Sequence, residues 1–213
     1  MNAGRAVYRR VGARPILSGM NTTSSRNETT NAPTTTGLWT VDPIHTTVGF
    51  AVRHLVVTTV RGIFEKVTGT VRYTPGEPEA AQIAITIDPA SVSTHDPQRD
   101  EHLRDPDFFD VARYPTILFR STAVRRSENG AYALAGEITL RGITRPITLT
   151  VHEITAPQRD FRGRRRIGAH ATAVLRRSDF GITYNIALEA GGIALADEVA
   201  LTLDLSLVEK IAR

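Results

Sequence analysis

The sequence contains no cysteine, so disulfides, thiolate nucleophiles and cysteine-type zinc sites are excluded. It has no run of eighteen or more apolar residues, and hence no candidate transmembrane helix. A strand–helix–strand rhythm with a G-x-G-x-x-G fingerprint is missing, which removes a dinucleotide-binding fold. So are the G-x-S-x-G elbow of serine hydrolases and the H-E-x-x-H pair of zinc hydrolases. The lack of cysteine fits the cytoplasm, although an exported protein can share it.

What is there is an ordinary globular composition, 41% hydrophobic and 23% charged, in 213 residues, enough for one sizeable core. The formal net charge of +4 suggests a nucleic-acid partner until it is located. In residues 1–36, Arg5, Arg9, Arg10, Arg14 and Arg26 stand against Glu28 alone, so this stretch carries the whole excess. Residues 37–213 are formally neutral, and no nucleic-acid partner is expected. Residues 1–36 are read as a disordered N-terminal tail. The first part lacks the continuous apolar core of a secretory signal. Residues 21–36 are rich in Asn, Thr and Ser and bury too little apolar surface to offset their ordering entropy. Met20 offers an alternative start, and an Arg-rich targeting or membrane-surface arm is a rival reading.

From Leu38 onward the hydrophobic period is two. Val48, Phe50 and Val52 alternate with Thr47, Gly49 and Ala51; Ile83, Ile85 and Ile87 with Ala84, Thr86 and Asp88; and Val199, Leu201, Leu203, Leu205 and Leu207 with Thr202, Asp204 and Ser206. Similar patterns over 60–73, 117–124, 132–140, 147–152 and 167–175 bring the count to about eight half-buried strands, at which a sheet can close around one small ligand. Pro75-Gly76, Asn129-Gly130 and Arg141-Gly142 mark turns, and short links imply antiparallel neighbours. One stretch breaks the pattern. Asp96-Pro97 and Asp105-Pro106 each place a capping acid before a proline, predicting a helix over 97–104 and a second, shorter one carrying Phe108 and Phe109. The fold class is therefore all-β, an antiparallel barrel with short helical inserts. Small residues at Gly49, Ala51, Ala84, Ala133, Ala135, Ala169, Ala171 and Ala173 favour a hollow barrel over a filled sandwich.

These residues resemble the YceI-like family of lipid- or polyisoprenoid-binding proteins. The resemblance runs from Trp39-Thr-Val-Asp42-Pro-Ile-His45 through Arg53-His54-Leu55, Gly62-Ile-Phe64, Arg99-Asp100-Glu-His102-Leu103, Phe108-Phe109-Asp110, Phe119-Arg-Ser121, Gly142-Ile-Thr144-Arg-Pro146 and Arg177-Ser-Asp179-Phe180-Gly181 to Asp197-Glu-Val199. It covers about residues 37–209. It implies an eight-stranded lipocalin-like barrel with an apolar tunnel for a long-chain amphipathic lipid: an isoprenoid quinone, a polyprenyl phosphate or a fatty amide. It also brings a homodimer into view. Many relatives are exported behind a signal peptide; this chain shows none, which favours the cytoplasm. Thr46 stands where the family often has serine and keeps the hydroxyl.

Six of the seven phenylalanines, Phe50, Phe64, Phe108, Phe109, Phe119 and Phe180, lie in these motifs and are the candidate apolar wall, with ordinary core filling as the competing reading of each. Burial against such a wall contributes about 25 cal/mol per Å². His45, Arg99 and His102 are candidates for the lipid head group, since an arginine fork suits phosphate. The spacing of His45, His54, His95 and His102 matches no metal motif, so neither metal nor cofactor is expected. Arg99-Asp100 and Arg177-Asp179 read as local charge pairs. Arg162, Arg164, Arg165 and Arg166 read as a solvated hairpin able to touch an anionic membrane transiently. A Ser121, His102 and Asp100 trio can be assembled on paper, as in most proteins of this size, and no catalytic residue is assigned. The expected function is a lipid carrier or store; the competing readings are an interaction or stress-response module without a stable ligand, and a hydrolase.

Overall fold

The computed structural model describes residues 36–55, 57–186 and 194–210. The expected tail lies outside them, Thr36 excepted. Twelve strand segments form one sheet: β1 (Gly37–Val41), β2 (Thr47–His54), β3 (Thr58–Phe64), β4 (Val67–Tyr73), β5 (Gln82–Ile87), β6 (Val92–Ser93), β7 (Ile117–Arg126), β8 (Tyr132–Leu140), β9 (Ile143–Ile154), β10 (Gln158–Arg159), β11 (Arg165–Arg176) and β12 (Leu195–Glu209). Pairing of β11 with β12 closes the sheet into an antiparallel ring. Eight strands make the ring, because six of the segments are halves of three bent strands. β1 and β2 lie in succession along one edge of β12, β4 and β3 pair with them, and β5 and β6 pair with β4 and β3.

Each bend is made by polar side chains that replace ladder bonds. At the first, the Thr46 hydroxyl donates to the Ser206 carbonyl and accepts from the Ser206 N–H, while the Asp42 carboxylate accepts from the Ile44 N–H. At the other two, buried Ser91 accepts from the Lys66 N–H and donates to the Asp88 carbonyl. The hydroxyl kept at Thr46 thus carries the strand around a corner. The sequence pattern over 60–73, read as one strand, is broken here at Glu65 and Lys66.

Beyond the bends the wall has two gaps. β7 pairs with β5 only over Ile117 to Arg120, and α1 (Pro97–Arg104) with residues 105–114 covers the space beyond. Asp96 caps α1 as its sequence predicts, accepting from the N–H groups of Gln98 and Arg99 at 3.1 Å each. The second expected helix does not form. The Asp105 carbonyl accepts from both the Phe108 and Asp110 N–H groups, and the chain continues as successive turns. Buried Asp100 accepts from the backbone and hydroxyl of Thr94, and Arg104 donates to the Ala90 and Val92 carbonyls, which hold α1 against β6. The second gap arises because β9 pairs with β11 only over residues 150–154. It is covered by the short 3-10 turn Arg177–Phe180 and residues 181–186, with Phe180 and Ile182 buried beneath.

The Arg-rich hairpin is not free. Arg165 pairs with Glu209 and Arg164 with Asp160, while Arg166 bridges Asp160 and Asp42 across the outer face of β12. Burial favours the neutral carboxyl of Asp42, but hydrogen bonds from Arg166, His45 and the Ile44 N–H outweigh it and hold the pKa down at about 2. Asp160 is lowered as well, by the same balance of burial against bonds from Arg166, Arg164 and Arg162. The staple ties the β10–β11 hairpin to the first bend. Because the Asp42 pKa is depressed on folding, its contribution is complete above about pH 4, where an unfolded aspartate is ionised, and is lost as pH falls through about 2. Asp42→Asn should therefore be less stable than the wild type near neutrality and show a shallower loss of urea stability on acidification. Parallel curves for the two proteins would mean that the staple contributes nothing.

Candidate functional site

The barrel interior holds two apolar spaces stacked along its axis. The larger, about 520 Å³, lies among β2, β3, the ends of β5, β7, β8, β11 and β12, and the two covers. The smaller, about 90 Å³, lies in the other half, among Val71, Leu134, Leu149, Val151, Ala171, Leu203 and their neighbours. Alternate residues assign the levels: Leu201 lines the first and Leu203 the second, as do Ile87 and Ile85. On a sealed core face the inward residues of β12 would be fully buried. Val199 and Leu201 are only half-buried, because they face the void rather than protein atoms.

Phe50, Phe64, Phe108 and Phe109 all line the large chamber. Phe50 and Phe64 stand 5.6 Å apart by ring centroid, and Phe109 meets Phe64 edge-on at 5.5 Å. Gly62 makes room for Phe50: a Cβ there would lie 2.4 Å from its Cζ. Phe119 sits deeper and lines the small chamber. Phe180 lines neither; it is 2% exposed under the Arg177–Phe180 turn. Of the small-residue faces, only that of β11 turns toward the hollow. Val48, Phe50 and Val52 point inward on β2 and Leu134 on β8, which turns Gly49, Ala51, Ala133 and Ala135 outward; Ala169 and Ala171 do face the interior.

Polar groups gather where the two covers meet. His102 of α1, Phe108 and Tyr184 form a triangle of rings with centroids 4.9 to 5.2 Å apart, joining one cover to the other. Arg99 and His102 both reach the chamber wall, Arg99 held by Thr94 through its Nε and Nη2 and His102 by Asp107. Arg99 does not pair with Asp100, which serves Thr94 instead. His45 is not part of this group. It lies exposed on Asp42 at the first bend, outside the barrel wall. Ser121, His102 and Asp100 are engaged separately: Ser121 accepts from the Ile83 N–H, His102 bonds Asp107 and Asp100 accepts from Thr94. Among the described residues no three His, Asp or Glu side chains are placed to hold a metal ion.

Arg177 is the residue that sequence reasoning misplaced. It does not pair with Asp179. It is 7% exposed, lines the large chamber, and donates to the carbonyls of Ile182, Tyr184, Leu195 and Ala196 at 2.8 to 3.3 Å. Burial lowers its pKa against the opposing pull of Asp197, whose own carboxyl is held down first by the Ser178 hydroxyl. Among the described residues the lining contains Arg99, Arg177, His54 and His102 and no carboxylate. At the rim, Leu55, Val57 (76% exposed) and Ile186 (56% exposed) are apolar and open to solvent. His54, Thr58, Tyr184 and the wall of β12 were also missed: alternation reveals an inward face but not whether it meets a void, and residues 182–186 carry no periodic pattern.

Residues 39–207 match the YceI-like domain. A UPF0312 protein of Vibrio cholerae is 36% identical over 138 residues, covering 65% of this chain and 72% of that protein. The YceI protein of Campylobacter jejuni superposes with a TM-score of 0.62 at 28% identity, over 75% of this chain and 90% of that one. A polyisoprenoid-binding domain from Saccharophagus degradans, implicated in plant cell wall breakdown, shares the fold with a TM-score of 0.59 at 16% identity, covering 81% of this chain and 98% of that one.

Arg177 fastens residues 182–184 to the start of β12, so its removal strands several carbonyls at once. Arg177→Met should lower stability by roughly 2–4 kcal/mol, at about 1 kcal/mol for each bond lost. Urea denaturation measures this, and a change below about 0.5 kcal/mol, the range of ordinary surface substitutions, would contradict it.

Proposed function

The chain belongs to the YceI-like domain family, and we propose that it holds the hydrocarbon chain of a single isoprenoid-type lipid in the large chamber, as a carrier or store. The observation that carries this reading is a set of inward side chains on β2, β3 and β12 left only half-buried, Phe50, Val52, Val60, Val199 and Leu201, around about 520 Å³ of apolar space. That volume falls in the range of small-molecule sites, and covering such a face contributes about 25 cal/mol per Å² of apolar surface removed from water. The Saccharophagus degradans neighbour, described as polyisoprenoid-binding, supports the same ligand class. The polar end of the lipid lies by Arg99, His102, Arg177 and Tyr184. With cationic and neutral donors and no carboxylate among the described lining residues, this cluster suits an anionic head, such as phosphate, better than a cationic one. The exposed rim of Leu55, Val57 and Ile186 is the route by which an apolar chain enters.

Binding is favoured over catalysis because Arg99, His102 and Arg177 are engaged within the covers, and among the described residues none of them is set against a nucleophile. Native mass spectrometry of gently purified protein should show a bound lipid. Leu201→Trp, which projects an indole into the void, should abolish retention while the melting temperature stays the same or rises. Protein that never carries lipid from cells and takes up no added prenyl phosphate would remove the proposal.

A further inference from the structure

We propose that Phe119 is the chain-length stop of the barrel: its ring forms the septum between the two chambers and fixes how long a lipid tail is accepted. This rests on the lipid-binding reading above and adds which side chain sets the limit. Phe119 on β7 is in register with Ile85 on β5 and Ile138 on β8. Ile117 and Ile138 line the large chamber, whereas Phe119 and Ile85 line the small one. The septum therefore lies one residue step below the floor of the large chamber. Its neighbours are cut away to admit it. A Cβ at Gly136 would lie 2.5 Å from Phe119 Cε2, and one at Gly69 would lie 2.7 Å from Ile85 Cδ1. Both glycines lie on the inner face, between Leu134 and Ile138 on β8 and between Val67 and Val71 on β4, where a packed core would use a larger residue. The Phe119 ring thus packs over Gly136, its Cε2 and Cζ 2.5 and 2.6 Å from where a Cβ there would lie.

Beyond the septum the lining is wholly apolar, with Leu134, Leu149, Val151, Leu203 and Leu207 among its residues, so the small chamber is chemically fit for the end of a hydrocarbon chain. Trp39, the single tryptophan, reports on this end. It is fully buried and in register with Val71, which lines the small chamber.

The test uses the full chain and a series of linear prenyl phosphates that differ by one isoprene unit. The wild type should show a cut-off, with affinity rising with length and then falling. Phe119→Ala should move the cut-off to longer chains, with a gain of roughly tenfold or more for the first homologue the wild type rejects, the yield of burying a few more methylene-sized groups. A terminally brominated chain of that length should quench Trp39 fluorescence in Phe119→Ala and leave it unquenched in the wild type. Adding Ala171→Phe to Phe119→Ala refills the small chamber and should restore the wild-type cut-off. If Phe119→Ala does not fold cooperatively, Phe119→Leu carries the same test with a smaller shift. A folded variant with an unchanged cut-off and unquenched Trp39 overturns the septum while leaving lipid binding intact. Failure of the wild type to bind any member of the series overturns the lipid reading itself, and the septum with it.

Discussion

Three bends in the wall govern this structure. Straight strands of this number would close around a uniform interior, just wide enough for side chains to fill or for one small ligand. Here the Thr46 and Ser91 hydroxyls take over backbone pairing at the corners, so that strands 1–6 are six short segments in place of three long ones. The half of the barrel containing β1, β4 and β5 packs more closely around the small chamber, with Trp39, Val67, Val71 and Ile85 buried. The other half opens. There β6 is two residues long, β7 loses its neighbour, and two non-strand covers must complete the wall. A buried hydroxyl bonded on both sides costs little, whereas the same corner made by alanine would leave buried backbone groups without partners. The large chamber follows from that arrangement of polar bonds; the inward alanines of β11 line the small one.

The covers explain why the buried polar groups sit where they do. A loop over an apolar space has no ladder to satisfy its carbonyls, and each must find a donor. Arg177 supplies four bonds from one side chain to the second cover and to β12, and Arg104 and Asp100 do the equivalent for the first. Arginine suits this task because its rigid fork presents several donors at once. The same requirement brings positive charge to the chamber edge, with Asp96 and Asp107 on the far side of Arg99 and His102 and none of the described carboxylates in the lining itself. Structural and recognition roles coincide there: the groups that fasten the covers also set the electrostatic character of the mouth.

The strand ladder was legible because its period is local. So were the Asp96 cap and the Arg141-Gly142 turn, where both residues take positive φ between β8 and β9. The second helix failed because a proline after an acid starts a turn as readily as a helix, and only the following bonds decide which. The site was harder. Phe50, Phe64, Phe108 and Phe109 stood in matching motifs, but nothing in the sequence separates a wall residue such as Phe64 from a sealed one such as Phe180. His45 lies next to a bend whose outward direction is set by pairing with β12, 160 residues away in the case of Thr46. Arg177 looked like the partner of Asp179, yet its bonds reach Leu195 and Ala196 on a different strand.

An open apolar chamber also has consequences for the empty protein. Side chains facing a void forgo dispersion contacts that a filled core would supply, so the half of the barrel around the chamber is the less stable half. The aromatic triangle of His102, Phe108 and Tyr184 joins the two covers by ring edges, and Gly181, at φ 70°, sits at the exit of the turn that carries one of them. These contacts can be re-formed after separation more readily than a ladder can. The packed half, stapled on its outer face by Asp42, Arg166 and Asp160, holds the ring closed meanwhile. A ligand filling the chamber would supply the missing contacts and stabilise the folded state by mass action. Binding and the integrity of the covers are therefore linked: the same apolar face that attracts a chain is the one that the fastened covers enclose.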